Sequence, residues 1–359
     1  MFKQKRLIKT TEHYTAKHNM CICDGLICNI DDTTILSELK NQKEIFSFGE
    51  ESVISKDLRG NSHILHTTTN NIKNLKKINS FKFPYIQFYT KENPRKYLIY
   101  NYITQQTLFE TTEWLGRDII GEQIFSFYQG VVTSRSVLNG TIQWQFNLSE
   151  LGTWLYDKKE ERLYEVDKFI GVYNNMLLVS CFSGVIIALE LQTGKLLHQW
   201  SAYPESYTMD RFTVTGINSS HCSQLDTTNN TLVGFNFFTL WLIDLQTTQL
   251  NITNLKEEFA KHDLRTVKRT MGFVITKTHY IITAETTIKE QINRGLDCLI
   301  AINKQTHTID WKHQFAENEA LKSTDIPQYS NEKLYQLDWN NTLHIFEKKK
   351  NYSFDTPAS

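Results

Sequence analysis

Proline and glycine are scarce in this sequence, with 5 and 15 residues in a chain of 359. Linkers between several domains would raise both counts. A single domain over 1–359 is therefore expected, although about 150 residues per domain would suggest two. An excess of one charge is missing as well: Lys+Arg and Asp+Glu are 39 each, and the formal net charge is zero. Nucleic-acid binders carry a basic excess, and so do surfaces that hold anionic lipid, so neither partner is expected. No run of 18 apolar residues occurs to make a membrane-spanning helix. The start, Met1-Phe2-Lys3-Gln4-Lys5-Arg6, is basic, but no apolar stretch follows it as in a secretory leader. The expectation is a cytoplasmic protein.

The motifs that announce catalysis are lacking too. There is no Gly-x-Gly-x-x-Gly, no Gly-x4-Gly-Lys-Ser/Thr, no His-Glu-x-x-His and no Gly-x-Ser-x-Gly. The close histidines, His63 and His66, stand three apart on an expected strand and so point to opposite faces. Six cysteines occur, at 21, 23, 28, 181, 222 and 298. Their one cluster, Cys21-x-Cys23-x4-Cys28, does not have the paired spacing of a zinc site. Free thiols are expected, with no catalytic residue, cofactor or metal.

What the chain has instead is 40% apolar and 12% aromatic residues, and turns made of Asn, Thr, Asp and Ser. Apolar runs of five to eight residues, rich in β-branched and aromatic side chains, read as strands throughout. Helical periodicity is confined to a short stretch at Asn254–His262.

One frame recurs: a strand, a polar turn, and a second strand with an aromatic five or so residues past the turn. Its clearest copy is Ile187-Ala-Leu-Glu190-Leu-Gln-Thr193-Gly194-Lys195-Leu-Leu-His-Gln-Trp200. Others run into Thr104 and Phe109, Asn139-Gly140 and Trp144, Thr247 and Ile252, and Thr306 and Trp311. With weaker copies at Asp32 and near Gly60, the turns recur about every 45 residues, the length of one four-stranded propeller blade. A closed β-propeller of seven four-stranded blades is the expected fold. Trp144, Trp311 and Phe109 should stack between neighbouring blades. The repeats cover about 28–346, a last strand pair lies at Lys333–Phe346, and residues 1–18 are either irregular or part of the ring-closing blade.

The frame Asp-x-x-Thr-Gly-Lys-x-x-Trp resembles the repeat of quinoprotein-type (PQQ-like) β-propellers, which share their architecture with WD-repeat proteins. Glu190 stands for the usual Asp, Asp244 keeps it, and Trp200 comes two places late. The resemblance implies either a quinone-dependent dehydrogenase or a non-enzymatic binding propeller. The dehydrogenases need a leader and an adjacent-cysteine disulfide, and neither is found, so the non-enzymatic branch is implied. Within it, an immunity protein that neutralises a toxin is the sharper expectation and a general interaction scaffold the alternative. An enzyme with a site on the propeller axis is the third reading.

Two connections break the repeat and are the expected protein-binding segments. The first is Trp154–Tyr164, a hairpin with a charged Asp157–Arg162 tip, where Trp154, Tyr156, Asp157, Lys158 and Arg162 suit a contact surface. It could also be an outer strand pair of its own blade. The second is Ala202–Phe212, too polar for core, with Tyr203, Tyr207 and Arg211.

Overall fold

The structure is a computed structural model. It describes residues 2–348 except 10, 38, 60, 70–71, 76–77, 91, 157–159, 183, 201–206, 210–211, 215–222, 269–271, 288–294 and 323–325.

Among the described residues there are ten antiparallel sheets, and eight of them, each of three or more strands, follow one another along the chain. We number them as blades. Blade 1 has three strands, Thr11–Thr15, Met20–Cys23 and Leu26–Asn29. Blade 2 is Gln42–Phe48, Ser52–Asp57, Ser62–His66 and Ile72–Leu75, and blade 3 is Ile78–Lys82, Tyr85–Tyr89, Tyr97–Asn101 and Gln106–Thr111. Blade 4 is Asp118–Ile120, Gln123–Tyr128, Val131–Ser136 and Ile142–Asn147. Blade 5 is Val166–Tyr173, Met176–Cys181, Val185–Glu190 and Leu196–Trp200. Blade 6 is Ser223–Asp226, Thr231–Asn236, Thr239–Asp244 and Leu250–Asn254. Blade 7 is Leu264–Val267, His279–Thr286, Asp297–Asn303 and Ile309–Gln314, with Val274–Ile275 paired beside His279–Thr286. Blade 8 is Gln328–Ser330, Lys333–Leu337 and Leu343–Lys348, completed by the N-terminal strand Phe2–Ile8.

The fold is thus an all-β propeller, but of eight blades rather than the seven expected. The missed one is blade 8. Its fourth strand arrives from the other end of the chain, so it has no third-to-fourth turn to count. The turn near Gly60 was also misplaced in the frame, for it joins the second and third strands of blade 2.

Contacts divide the chain into two compact units. One contains 1–47, 55–58 and 221–359, and the other 48–54 and 59–220. The short helix expected at Asn254–His262 is present at Lys256–Lys261, with Phe259 buried. No helix of the described residues is long and apolar enough to cross a membrane.

Strand burial follows position in the blade. In blade 5 the two middle strands are buried along almost their whole length, whereas Leu196–Trp200 alternates. Middle strands are covered on both faces, which is why Val185-Ile-Ile-Ala-Leu189 reads as a continuous apolar run.

The scarcity of glycine is explained at the third-to-fourth turns. Asn101, Asp244 and Asn303 each accept two backbone N–H bonds from the residues that follow, folding the turn through the side chain. The residue after each turn Thr is left-handed: Gln105, Gly194, Thr248 and His307 have φ of 57, 72, 62 and 58°. At Gly194 a side chain is also excluded by space, because the Trp144 ring of blade 4 lies over its Cα. Trp144 Nε1 donates to Leu191 O at 2.8 Å. Phe109 covers Gly140 in the same way. Trp311, whose neighbour has no such turn, packs on the N-terminal strand: it lies 5.1 Å edge-on to Phe2 and donates to Phe2 O at 3.1 Å. All three expected aromatics therefore pack between blades.

A second glycine is fixed by packing within a sheet. Gly234 faces Trp241 directly across blade 6, and the fully buried indole occupies the space of a Cβ. Gly234→Ala should cost about 1–3 kcal/mol, the usual range for overpacking. The denaturant midpoint reads it, and an unshifted midpoint means the ring does not lie there.

Candidate functional site

Strands alternate in direction, so the connections between blades and the second-to-third turns emerge at one edge of the sheets. At that edge of blades 4 and 5, large apolar side chains remain in water: Trp114 is 44% exposed, Tyr128 65%, Leu163 53% and Phe182 46%. Trp114 precedes the first strand of blade 4, Tyr128 ends its second strand, and Phe182 follows the second strand of blade 5. Phe182 N–H bonds to Glu165 O, two residues past Leu163.

Trp114 also lines an open cleft of about 290 Å³ between blades 4 and 5, with Phe127 and Val166 among its other walls. Its loop, Trp114–Arg117, is set by local packing. Leu115 is fully buried, Asn79 Nδ2 donates to Gly116 O at 3.2 Å, and Gly116 has φ 81°. A Cβ on Gly116 would strike the Phe125 carbonyl oxygen and Ser126. Leu115 is therefore held inward and Trp114 outward.

Four charged residues line the cleft in two adjacent pairs, Arg117-Asp118 and Asp167-Lys168. The cleft walls push the Asp118 carboxyl above its ordinary value by desolvation, and Arg117 and Lys168 oppose the shift. Asp118 keeps contact with water at the mouth, so desolvation is incomplete. The quartet can pair with either sign of charge on an incoming group.

The hairpin of the sequence analysis stands beside this cleft. Thr153–Tyr156 and Glu160–Leu163 form a two-stranded sheet of their own, between blades that each have four strands without it. Trp154 is half-buried against the blade 4–blade 5 core and donates to Leu163 O at 3.3 Å. The second strand is exposed along its length, and Arg162 pairs with Glu160 at 2.9 Å. Tyr156 is described by its backbone alone, and Asp157 and Lys158 lie outside the described residues. In the second expected segment, Tyr207–Met209 pairs with Phe212–Val214. The Tyr207 side chain, Tyr203 and Arg211 lie outside the described residues. Each of these hairpins follows a fourth strand and precedes a first one.

Sequence reasoning missed Trp114, Tyr128, Phe182 and the charged quartet. One signal was available: Trp114 sits in the polar connection Thr111-Thr-Glu-Trp114, where a tryptophan has no core to enter. Among the described residues no group of three or more His, Cys, Asp or Glu is placed to hold a metal ion.

No family model matches the chain, and no curated protein matches it. Solved structures do match, over nearly the whole length. The computationally designed Ika8 protein superposes with TM-score 0.58 at 12% identity, covering 95% of this chain and 96% of its own. Sqt1 of Saccharomyces cerevisiae gives 0.58 at 9%, covering 97% and 98%. The C-terminal WD40 domain of Sif2 gives 0.58 at 10%, covering 97% and 99%. At these identities the likeness is one of fold alone, and the fold it supports is the β-propeller.

Proposed function

We propose that the chain is a non-catalytic protein-binding propeller that takes its partner at the blade 4–blade 5 edge. The observation that carries this reading is the group Trp114, Tyr128, Leu163 and Phe182, left exposed at one edge of blades 4 and 5, where Trp114 also lines a cleft with two acids and two bases. Aromatic anchors beside charges are what contact surfaces concentrate, and an apolar group of this kind marks an interaction site. The hairpin strands with Trp154 and Arg162 flank it, and Tyr156, Asp157, Lys158, Tyr203, Tyr207 and Arg211 are proposed as further contact residues on the sequence alone. Folds of the WD40 type present partners with loops on a rigid frame.

The test is capture of the partner from the native cell, compared between wild type and Trp114→Ala/Tyr128→Ala/Phe182→Ala. The variant should weaken binding on the order of tenfold or more, as loss of anchors does. The control variant Ile103→Ala/Leu138→Ala alters exposed side chains at third-to-fourth turns, on the opposite edge, and should bind normally. Equal capture by all three proteins rejects the edge. One stoichiometric partner marks a dedicated inhibitor, as in toxin neutralisation by an immunity protein, and several partners mark a scaffold.

The charged quartet, three residues on first strands and Arg117 just before one, is also what an enzyme site at a propeller axis requires. That reading predicts turnover in a hydrolase or lyase screen that is lost in Asp118→Asn, and the binding reading predicts none in either protein.

A further inference from the structure

The three clustered cysteines take no part in the surface just described. Cys21 and Cys23 are on the second strand of blade 1 and Cys28 on the third, joined by a two-residue turn at Asp24-Gly25. Residues two apart on a strand share a face, and Cys28 is the register partner of Cys21. All three thiols therefore lie on one side of one hairpin. Cys21 Sγ is 3.5 Å from Cys23 Sγ, and the Cys28 thiol also interacts with Cys23. Cys21 and Cys28 are buried against Tyr14, Tyr335 and Ile345, whereas Cys23 is half-exposed at the rim.

We propose that this hairpin is a peroxide-oxidisable site, in which Cys23 is oxidised first and closes a disulfide with Cys21. The Cys23 thiolate attacks hydrogen peroxide: an S–O bond forms, the O–O bond breaks, and water leaves with a proton, giving the sulfenic acid. Cys21 sulfur then attacks Cys23 sulfur. The S–S bond forms, the S–O bond breaks, and a second water leaves with the Cys21 proton. Two thiols are oxidised by two electrons, and one peroxide is reduced to two waters.

The order of events follows from the environment. A hydrogen bond from Cys21 holds the Cys23 thiol below its ordinary pKa against the effect of burial, with help from the Thr11 hydroxyl. The same bond, together with burial, pushes Cys21 up. The thiolate is the reactive form, so the less buried sulfur is the attacking one and the buried neighbour resolves it. Two residues of strand span about 6.6 Å, close to the upper limit for a disulfide. A bond made there is strained and readily reduced.

The chain supplies its own controls. Cys181 and Cys298 are buried, and burial pushes both thiols up to about 12. The test uses the full chain with Cys222→Ser, treated with low hydrogen peroxide, alkylated, and cleaved before Asp24, which separates Cys21 and Cys23 from Cys28. The expected result is a fragment with an internal disulfide that dithiothreitol reverses. Cys23 should be consumed at least about tenfold faster than Cys181 or Cys298. Cys21→Ser should stop at a sulfenic acid that dimedone traps on Cys23, and Cys28→Ser should leave the disulfide unchanged. A Cys21–Cys28 disulfide with Cys23 still alkylatable overturns the proposal. So does a Cys23 that survives as long as the buried controls, a result read in the parent protein without any variant at the hairpin.

Discussion

Trp144→Ala should lower stability by about 3–5 kcal/mol, the range for emptying a buried tryptophan site, and the effect should depend on Gly194. Trp144 is 6% exposed, belongs to blade 4, and spends its side chain on blade 5. Its indole N–H is bonded to Leu191 O, and its ring covers the left-handed Gly194. Truncation leaves a cavity between two blades and removes one of the two hydrogen bonds to Leu191 O, which keeps the one from Gln123 Nε2 at 3.2 Å. The partnership with Gly194 gives a check that simple loss of volume would not. In the parent chain Gly194→Ala adds both backbone strain at φ 72° and a collision with the ring. In a Trp144→Ala background the collision is gone and only the strain of roughly 1 kcal/mol remains. The two substitutions should therefore be less than additive by more than the ~0.5 kcal/mol that distant sites show. Additive midpoints in chemical denaturation would mean the ring does not rest on the turn.

This contact was legible in the sequence because it is local in frame: an aromatic at a fixed offset from a turn, repeated. The strands were legible for the same reason. Blade 8 was legible only as the strand pair at Lys333–Phe346, since its fourth strand, Phe2–Ile8, is joined to Leu343–Lys348 by topology and no repeat connects them. The hairpin at Trp154 showed itself by lengthening the interval between the Asn139 and Thr193 turns. The cleft beside it was hidden. Arg117 and Asp118 lie some 50 residues from Asp167 and Lys168, and each pair alone looks like the solvated start of a strand. Only the side-by-side placement of two first strands makes them one site. The cysteine cluster was visible as a spacing, but its convergence depended on the two-residue turn at Asp24-Gly25, which brings Cys28 opposite Cys21.

Lys304→Met should cost about 3–5 kcal/mol, as breaking a buried ion pair from one side does. Lys304 lies just past the third strand of blade 7 and reaches Asp226, at the end of the first strand of blade 6. Nζ and Oδ2 are 2.6 Å apart, with 8% and 0% of the two side chains exposed. The ammonium also lies 5.1 Å from the Tyr280 ring centroid. Methionine fills most of the same volume and removes the charge, so the loss is electrostatic rather than a cavity. Asp226 would keep its bonds from the Thr228 and Asn229 backbone and from Asn229 Nδ2, but these leave its full charge buried between two blades. Lys304→Met/Asp226→Asn removes that charge, and the Asn229 amide can turn to accept from the new one. The double variant should recover on the order of 1–3 kcal/mol relative to Lys304→Met alone, within the range of coupling between contacting residues. A single variant within 1 kcal/mol of wild type would show the pair to be solvated. A double variant no better than the single one would show that Lys304 acts through packing on Tyr280 instead of through the charge on Asp226.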